Sequence, residues 1–387
     1  MTISMNLVSD PQGDHDTSVK ARAQAFAREH VAPYAETWER DGIYPKGAIF
    51  EASKEFGGFL IPKELGGKGG SVTEFLIMVE EMAKVDIAFT LAFVVHNNVA
   101  YIISQSPNAS LRDRLLPALI AGERIGAFCL TEPGAGSDAA GITTRADLVD
   151  GDWQIFGTKG WITAGGCADD LVVFAKTTDT PGPKSVACFA VDGNGPDIER
   201  SDRYELVSGH LPQVCDITFK GVNVAEKDVL FEPGTAFAAA MGCLDAARLG
   251  IAAMCNGALT SALETSIEYA GQRKMFGGCT LDNQGIQWTF SEHLTQLEAS
   301  RSLMFQTAAL AEAGKSFTQA SAHSKKFANH AAHSGMSWAM RAMGATGTRR
   351  TSDLARQFGH AQLLFNTDGT PEIMNIVIGR SLQALCK

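Results

Sequence analysis

The sequence predicts an α+β fold in three parts: an N-terminal all-α domain over residues 1–124, a central antiparallel β-barrel or sandwich over 125–235, and a C-terminal four-helix-bundle domain over 236–387. Three observations predict it. Apolar residues recur at helical spacing through the first third; after Gly141 β-branched residues and turn residues take over; from Ala236 long Ala-, Leu- and Met-rich segments restore the helical period.

Each element has a local reason. Over residues 17–40, Val19, Ala23, Phe26, Ala27 and Val31 define one face of an amphipathic helix, and 50–59 continues in kind. Residues 62–70 are Gly-rich and must be loop. Ser71 with Glu74 three residues on is a capping box that opens a helix through Val85. Helical patterns follow over 87–104 and 110–121. Residues 125–130 form a short apolar run of strand length, and Pro133, which lacks a backbone donor, stops the ladder. Strands are predicted over 153–156, 171–176, 185–191 and 214–219, separated by Gly, Pro, Asp and Asn. No stretch between them has the helical periodicity of a parallel crossover, so antiparallel pairing is expected. The C-terminal helices are predicted over 236–274, 283–313, 317–343 and 352–364, with a last one from Pro371, a residue suited to a first turn.

A chain of 387 residues, 45% hydrophobic and 20% charged, has the composition of a soluble globular protein with room for a large core. The net charge of -10 and the lack of a Lys/Arg run argue against a nucleic-acid partner. Residues 1–16 look like a frayed tail, since no cationic stretch precedes an apolar one. The apolar run 88–103 is interrupted by His96-Asn97-Asn98 and is expected to be too short to span a membrane. Eight cysteines without a Cys-x-x-Cys pair are expected to be reduced, in a cytoplasmic protein.

The chemistry is concentrated first in residues 128–138, FCLTEPGAGSD. Gly134 and Gly136 let a flat or anionic ligand approach the main chain, whose N–H groups then become donors, with the hydroxyls of Thr131 and Ser137 on either side. The competing reading is a strand-to-strand turn in which Gly and Pro serve geometry alone. Residues 157–163, GTKGWIT, again set an aromatic and a hydroxyl beside glycines; Trp161 suits stacking on a heteroaromatic ring, or burial in a core. Gly134-x-Gly136-x-x-Ala139 with Asp150 downstream also fits a dinucleotide fingerprint, but that needs a helix directly afterwards, and the β-branched run to Arg145 leads into strands.

Together these blocks resemble the acyl-CoA dehydrogenase family of flavoproteins, with Arg273-x-x-Phe276-Gly277, Gln284, and Asp368-Gly369-Thr370 following in the family's order. The resemblance implies FAD against the middle domain. Leu130, Thr131, Gly136, Ser137, Trp161 and Thr163 would meet the flavin, Arg273, Phe276 and Gln284 the adenine and pyrophosphate end, partly across a subunit boundary, and Gly344, Thr370 and, unless it is only a surface charge, Arg341 from a neighbouring subunit would complete the cofactor contacts. Arg273 is also a good phosphate ligand on physical grounds, or else a solvated surface residue. Ser137, Asp245, Arg248 and Gly369 would contact substrate.

The implied reaction is α,β-dehydrogenation of an acyl thioester, on CoA or on an acyl-carrier protein. A carboxylate takes the α-proton and hydride leaves the β-carbon for the flavin. Asp368 is the expected base, one methylene shorter than the family's usual Glu, as in the related nitroalkane oxidases; the rival is an Asp-Gly turn before a helix. Some branches carry a Glu before the Arg of a Leu-Asp-x-x-Arg run; here that site is Ala247, in Leu244-Asp245-Ala246-Ala247-Arg248. The family's Gln-x-x-Gly-Gly-x-Gly run is here Arg341-Ala-Met-Gly344-Ala345-Thr346-Gly347, and Gly359-His360 stands for an Arg-Asp pair. Relatives that act on dicarboxylyl thioesters resemble one another in carrying a basic residue in the segment between Val85 and Gln105; with no Arg or Lys there, the resemblance implies an uncharged acyl group. The Asp base leaves two further readings: a flavin oxidase acting on another carbon acid, and a subunit without activity. An electron-transfer flavoprotein partner and a homotetramer, or a dimer, are further implications of the family. His323, His330 and His333 share a helical face but lack the Glu of a metal motif, so no metal is expected, and His96 is read as a satisfied core histidine.

Overall fold

The computed structural model describes residues 16–349 and 351–384; of the expected tail over 1–16, only Asp16 is described, where it begins a helix, and Cys386 lies outside the described residues. The chain groups into two compact units, each discontinuous in sequence. One comprises the described residues through Glu36, Ser71–Thr90 and Arg248 onward; the other comprises Thr37–Gly70 and Leu91–Ala247.

The first unit is helical. The expected helix over 17–40 is broken into α1 (Asp16–Phe26) and a π-helical stretch at Ala27–Val31 in this unit, followed by α2 (Ala35–Asp41), most of which belongs to the other unit. Pro33 falls in the break, where its ring and missing N–H are incompatible with a continuous helix. The capping box at Ser71 is present, with Ser71 Oγ accepting from Glu74 N and the Glu74 carboxylate accepting from Ser71 N, and it opens α4 (Val72–Ala83). α4 packs on α1 and on α8 (Gln284–Glu312), while α9 (Thr318–Ala342) packs on α8, α10 (Asp353–Leu364) and α11 (Pro371–Ala384).

In the other unit, α3 (Lys46–Phe56) and α6 (Ala109–Ile120) accompany an eight-stranded sheet. Its strands are β1 (Gly126–Cys129), β2 (Arg145–Val149), β3 (Asp152–Ile162), β4 (Asp170–Lys176), β5 (Val186–Asp192), β6 (Ile198–Arg200), β7 (Cys215–Val224) and β8 (Val229–Phe231). The order is β6-β7-β3-β2-β4-β5-β8, with β1 pairing β4. Pairing is antiparallel except beside β4, where β1 runs parallel along its four residues and β2 adds one parallel pair. The return from β1 to β4 is made by the β2–β3 hairpin instead of a helix, so a parallel pair arises without the helical signature a crossover usually leaves. Asp150 and Gly151 turn that hairpin, both at positive φ (53° and 94°), the geometry of a two-residue primed turn. Asp150 is therefore a hairpin corner and no part of a dinucleotide site.

Val99, Ile103, Leu116, Leu130, Ala135, Val172, Phe174 and Leu230 form this unit's apolar core. Two helices, α5 (Ile87–Ser104) and α7 (Ala236–Gln272), are long and apolar enough to cross a membrane by length and composition. In α5, 83% of that apolar window is buried inside the protein, so burial, not the expected shortness, makes it a core helix.

Candidate active site

The turn that follows β1 is anchored at both ends. Leu130 and Ala135 are core residues, and Glu132 and Ala135 exchange main-chain hydrogen bonds of 3.2 and 3.0 Å around Pro133-Gly134. A Cβ at Gly134 would meet nothing within 4 Å, and one at Gly136 only Thr131 Cγ2 at 3.9 Å, so the glycines open the main chain to the outside. Gly134, Gly136 and Ser137 are exposed and Thr131 is half-buried. The two glycine-containing blocks meet directly, because Gly160 N donates to Thr131 O at 2.9 Å. That bond sets Trp161 and Thr163 beside the turn.

Trp161 is no core residue: its side chain is 57% exposed and its backbone sits at φ 60°. The indole leans on Tyr204, with ring centroids 4.5 Å apart and planes at 53°. Tyr204 in turn donates its hydroxyl to Asp216. Partial burial and then that carboxylate push the Tyr204 phenol up to about 12, so it stays a donor. The result is an exposed aromatic plate on a rigid support, with half-buried hydroxyls of Thr131 and Thr163 nearby.

Beneath the turn lies a pair that sequence reasoning missed. Lys159 is completely buried in β3, and its Nζ donates to Leu130 O and to Glu132 Oε1, both at 2.9 Å. Glu132 also accepts from Thr143 N (2.7 Å), Thr143 Oγ1 (2.8 Å) and Thr144 N (2.8 Å). Burial pushes the Glu132 carboxyl up, but the Lys159 ammonium and these donors outweigh it and hold it at about 2. A signal was available: Lys159 has the same strand parity as buried Ile155, and a lysine in the inward register needs a partner.

In the helical unit, Asp368 follows the C-terminus of α10 in the left-handed region (φ 56°), and Gly369 continues there at φ 105°. A Cβ on Gly369 would also lie 2.8 Å from Met374 Cε. Thr370 Oγ1 accepts from Ile373 N at 3.4 Å, and Pro371 begins α11. Burial raises the Asp368 carboxyl above the ordinary range, while Lys325 and then Arg248 pull it back. Arg248, expected at the substrate, is bonded to the turn that carries Asp368, with Nε donating to Asp368 O at 3.1 Å. In the other unit, Asp245 is half-buried and Ala247 is buried.

The remaining predicted residues lie at the surface of this unit. Arg273 precedes a two-stranded hairpin of β9 (Lys274–Met275) and β10 (Gly278–Cys279), with Phe276 at its tip, 99% exposed and at φ 49°. Gln284 is the exposed first residue of α8, which Asn283 caps through Gly285 N. Arg341 lies in the last turn of α9 with its guanidinium 5.3 Å above the Trp338 ring, and Gly344 is exposed at φ 59°.

His96 is a satisfied core histidine. His96 Nε2 lies 2.9 Å from Leu119 O and Nδ1 accepts from Gly126 N at 3.3 Å; burial lowers its pKa to about 4, leaving it neutral. His333 stacks on Phe358, and among the described residues no group of three His, Cys, Asp or Glu could hold a metal.

Comparison with known proteins finds matches over most of the chain. Residues 13–123 match the description "Acyl-CoA dehydrogenase, N-terminal domain", 127–222 the middle domain and 234–383 the C-terminal domain. The short-chain specific acyl-CoA dehydrogenase of Megasphaera elsdenii is 32% identical over 369 residues, 93% of this chain and 96% of the relative. The solved butyryl-CoA dehydrogenase of the same organism superposes with a TM-score of 0.93 at 30% identity, covering 97% of this chain and 100% of that one. A chain from the structure described as "Electron transferring flavoprotein of Acidaminococcus fermentans: Towards a mechanism of flavin-based electron bifurcation" gives a TM-score of 0.93 at 29% identity, covering 97% and 99%.

Proposed function

This chain belongs to the acyl-CoA dehydrogenase family, and from that premise we propose that it removes a proton and a hydride from the α- and β-carbons of an uncharged acyl-CoA, with Asp368 as the base. The family's cofactor is FAD, which when bound supplies the hydride acceptor. The residues fit it: an open glycine turn tied by one hydrogen bond to Gly160, the residue before an exposed tryptophan, is a surface suited to a flat ring system. That bond, Gly160 N to Thr131 O, is the observation that supports the reading most.

The chain's own residues have distinct tasks. Leu130–Thr131, Gly136, Ser137 and Thr163 offer main-chain and hydroxyl donors, and Trp161 offers an apolar face. Asp368 takes the α-proton. Its raised proton affinity suits a base that must accept from a weak carbon acid. Asp245, Ser137 and Gly369 are read as substrate contacts, and Arg248 as acting through the turn of the base. Arg273, Phe276, Gln284, Arg341 and Gly344 are assigned to the adenine end. The exposure of Phe276, Trp288, Ile376 and Leu382 (99, 63, 50 and 59%) supports a homotetramer, in which a second copy covers them. The Acidaminococcus likeness supports an electron-transfer flavoprotein as acceptor. All seven cysteines among the described residues are free thiols, which supports a cytoplasmic setting.

The test is a visible spectrum of the purified protein, then anaerobic titration with short-chain acyl-CoAs and the matching acyl-carrier-protein thioesters. Flavin bleaching by an acyl-CoA, with slow reoxidation by oxygen and fast reoxidation by an electron-transfer flavoprotein, is expected. Rapid oxygen turnover without bleaching by any thioester would overturn the reading in favour of an oxidase.

A further inference from the structure

Lys325 lies in the first third of α9 and is 0% exposed. A buried ammonium needs compensation, and here its Nζ donates to Gly369 O at 2.7 Å, Phe365 O at 3.2 Å and Asn329 Oδ1 at 3.2 Å. Two of these oxygens bracket Asp368 in sequence. Phe365 is the C-cap of α10, where unpaired carbonyls gather partial negative charge that a cation complements. Asn329 is itself oriented, since its Nδ2 contacts Cys255 Sγ at 3.3 Å.

The backbone held in this way is one that does not hold itself. Asp368 and Gly369 are both left-handed, at φ 56° and 105°; aspartate enters this region more readily than most side chains, yet the conformation still costs free energy that neighbouring contacts offset. Arg248 Nε grips the carbonyl between, Asp368 O, at 3.1 Å. Thus two cations bind three consecutive or near-consecutive carbonyls of the turn, 365, 368 and 369.

We propose that Lys325 is a positioning residue for the dehydrogenation: by binding the carbonyls on both sides of Asp368, its ammonium fixes the left-handed turn that aims the base. The inference rests on Asp368 being that base. Asp368, Cys255, Arg248 and Asn329 are the charged, titratable and polar groups that face the ammonium. Its charge acts as well as its geometry, because of the two cations that oppose the burial of Asp368 it is the larger influence. Without it the acid titrates higher.

The experiment uses the full-length, FAD-loaded protein and measures flavin reduction by an acyl-CoA in a single turnover across pH. Lys325→Met is expected to slow reduction by about 10²-fold, the scale of a misplaced reacting group, and to move the acid limb of the profile to higher pH. Amide hydrogen exchange over residues 365–370 should quicken in the same variant. Lys325→Arg, which keeps charge but not shape, should retain the wild-type acid limb with a reduced rate, and it carries the test if the Met variant does not fold. A folded Lys325→Met with wild-type rate, acid limb and exchange overturns the inference. So does Lys325→Arg at wild-type rate where Met does not fold. Asp368→Asn run alongside separates the two ideas. If it keeps the wild-type rate, the base assignment fails and this inference with it; if it is inactive while Lys325→Met is normal, only the role of Lys325 fails.

Discussion

Glu132→Gln removes the anion from a pair whose cation cannot reach water. Lys159 is 0% exposed, and half of its bonding goes to Glu132 Oε1, with Leu130 O taking the rest. Removing one partner of a buried pair costs about 3–5 kcal/mol, most of it the penalty of the charge left behind. Glutamine keeps one acceptor oxygen but turns an NH₂ toward donors, either Lys159 and Thr144 or the two Thr143 groups, so about 3 kcal/mol is expected. Against a total stability of about 5–15 kcal/mol that is a large fraction. Urea unfolding of the wild type, Glu132→Gln and Glu132→Gln/Lys159→Met measures it. The double variant should recover most of the loss, since an apolar replacement of both partners is close to neutral. Acid adds a second signature. The folded carboxyl titrates at about 2, below its ordinary 4.5, so its contribution is complete above 4.5 and lost as the pH falls toward 2; the single variant lacks that slope. A Glu132→Gln protein within about 0.5 kcal/mol of wild type would refute the reasoning, because Lys159 would then have found water or lost its proton.

Asp368→Asn is expected to slow flavin reduction by about 10²–10⁴-fold while raising the thermal midpoint. The sign follows from the raised carboxyl: when ionised at neutral pH it costs the folded state stability, and the amide removes that cost. His96→Gln should flatten stability between pH 6.5 and about 4 in pH-dependent unfolding, because the buried neutral imidazole lets protonation favour the unfolded chain as pH falls through that window. Tyr204→Phe, which takes the donor from Asp216 and loosens the support of Trp161, should cost about 1 kcal/mol and weaken FAD retention on dialysis, read from the flavin spectrum.

Much of this was legible locally. The Ser71–Glu74 box, Pro371 at the start of α11 and the limits of α5 each follow from interactions within one or two turns of chain, which a sequence displays directly. The 125–130 run announced β1, but nothing in it announced a parallel partner at β4, because register across 44 residues is decided by the intervening hairpin. The site divides the same way. Thr131, Trp161 and Asp368 stand in recognisable motifs, whereas Lys159 and Lys325 act on residues 27 and 44 positions away, Glu132 and Gly369. The bond from Gly160 to Thr131, which joins two motifs into one surface, belongs to the same class: it exists only after the sheet has formed.

The left-handed backbone at position 368 bears on how any substitution there is interpreted. Asparagine and aspartate are the non-glycine residues that enter this conformation most readily, so exchanging one for the other leaves the chain path alone and isolates the acid–base chemistry. Glutamate lengthens the side chain and fits the bend less readily, mixing reach with conformational cost. A Glu variant that works poorly would therefore say little about acidity, and an Asn variant that fails would say a great deal.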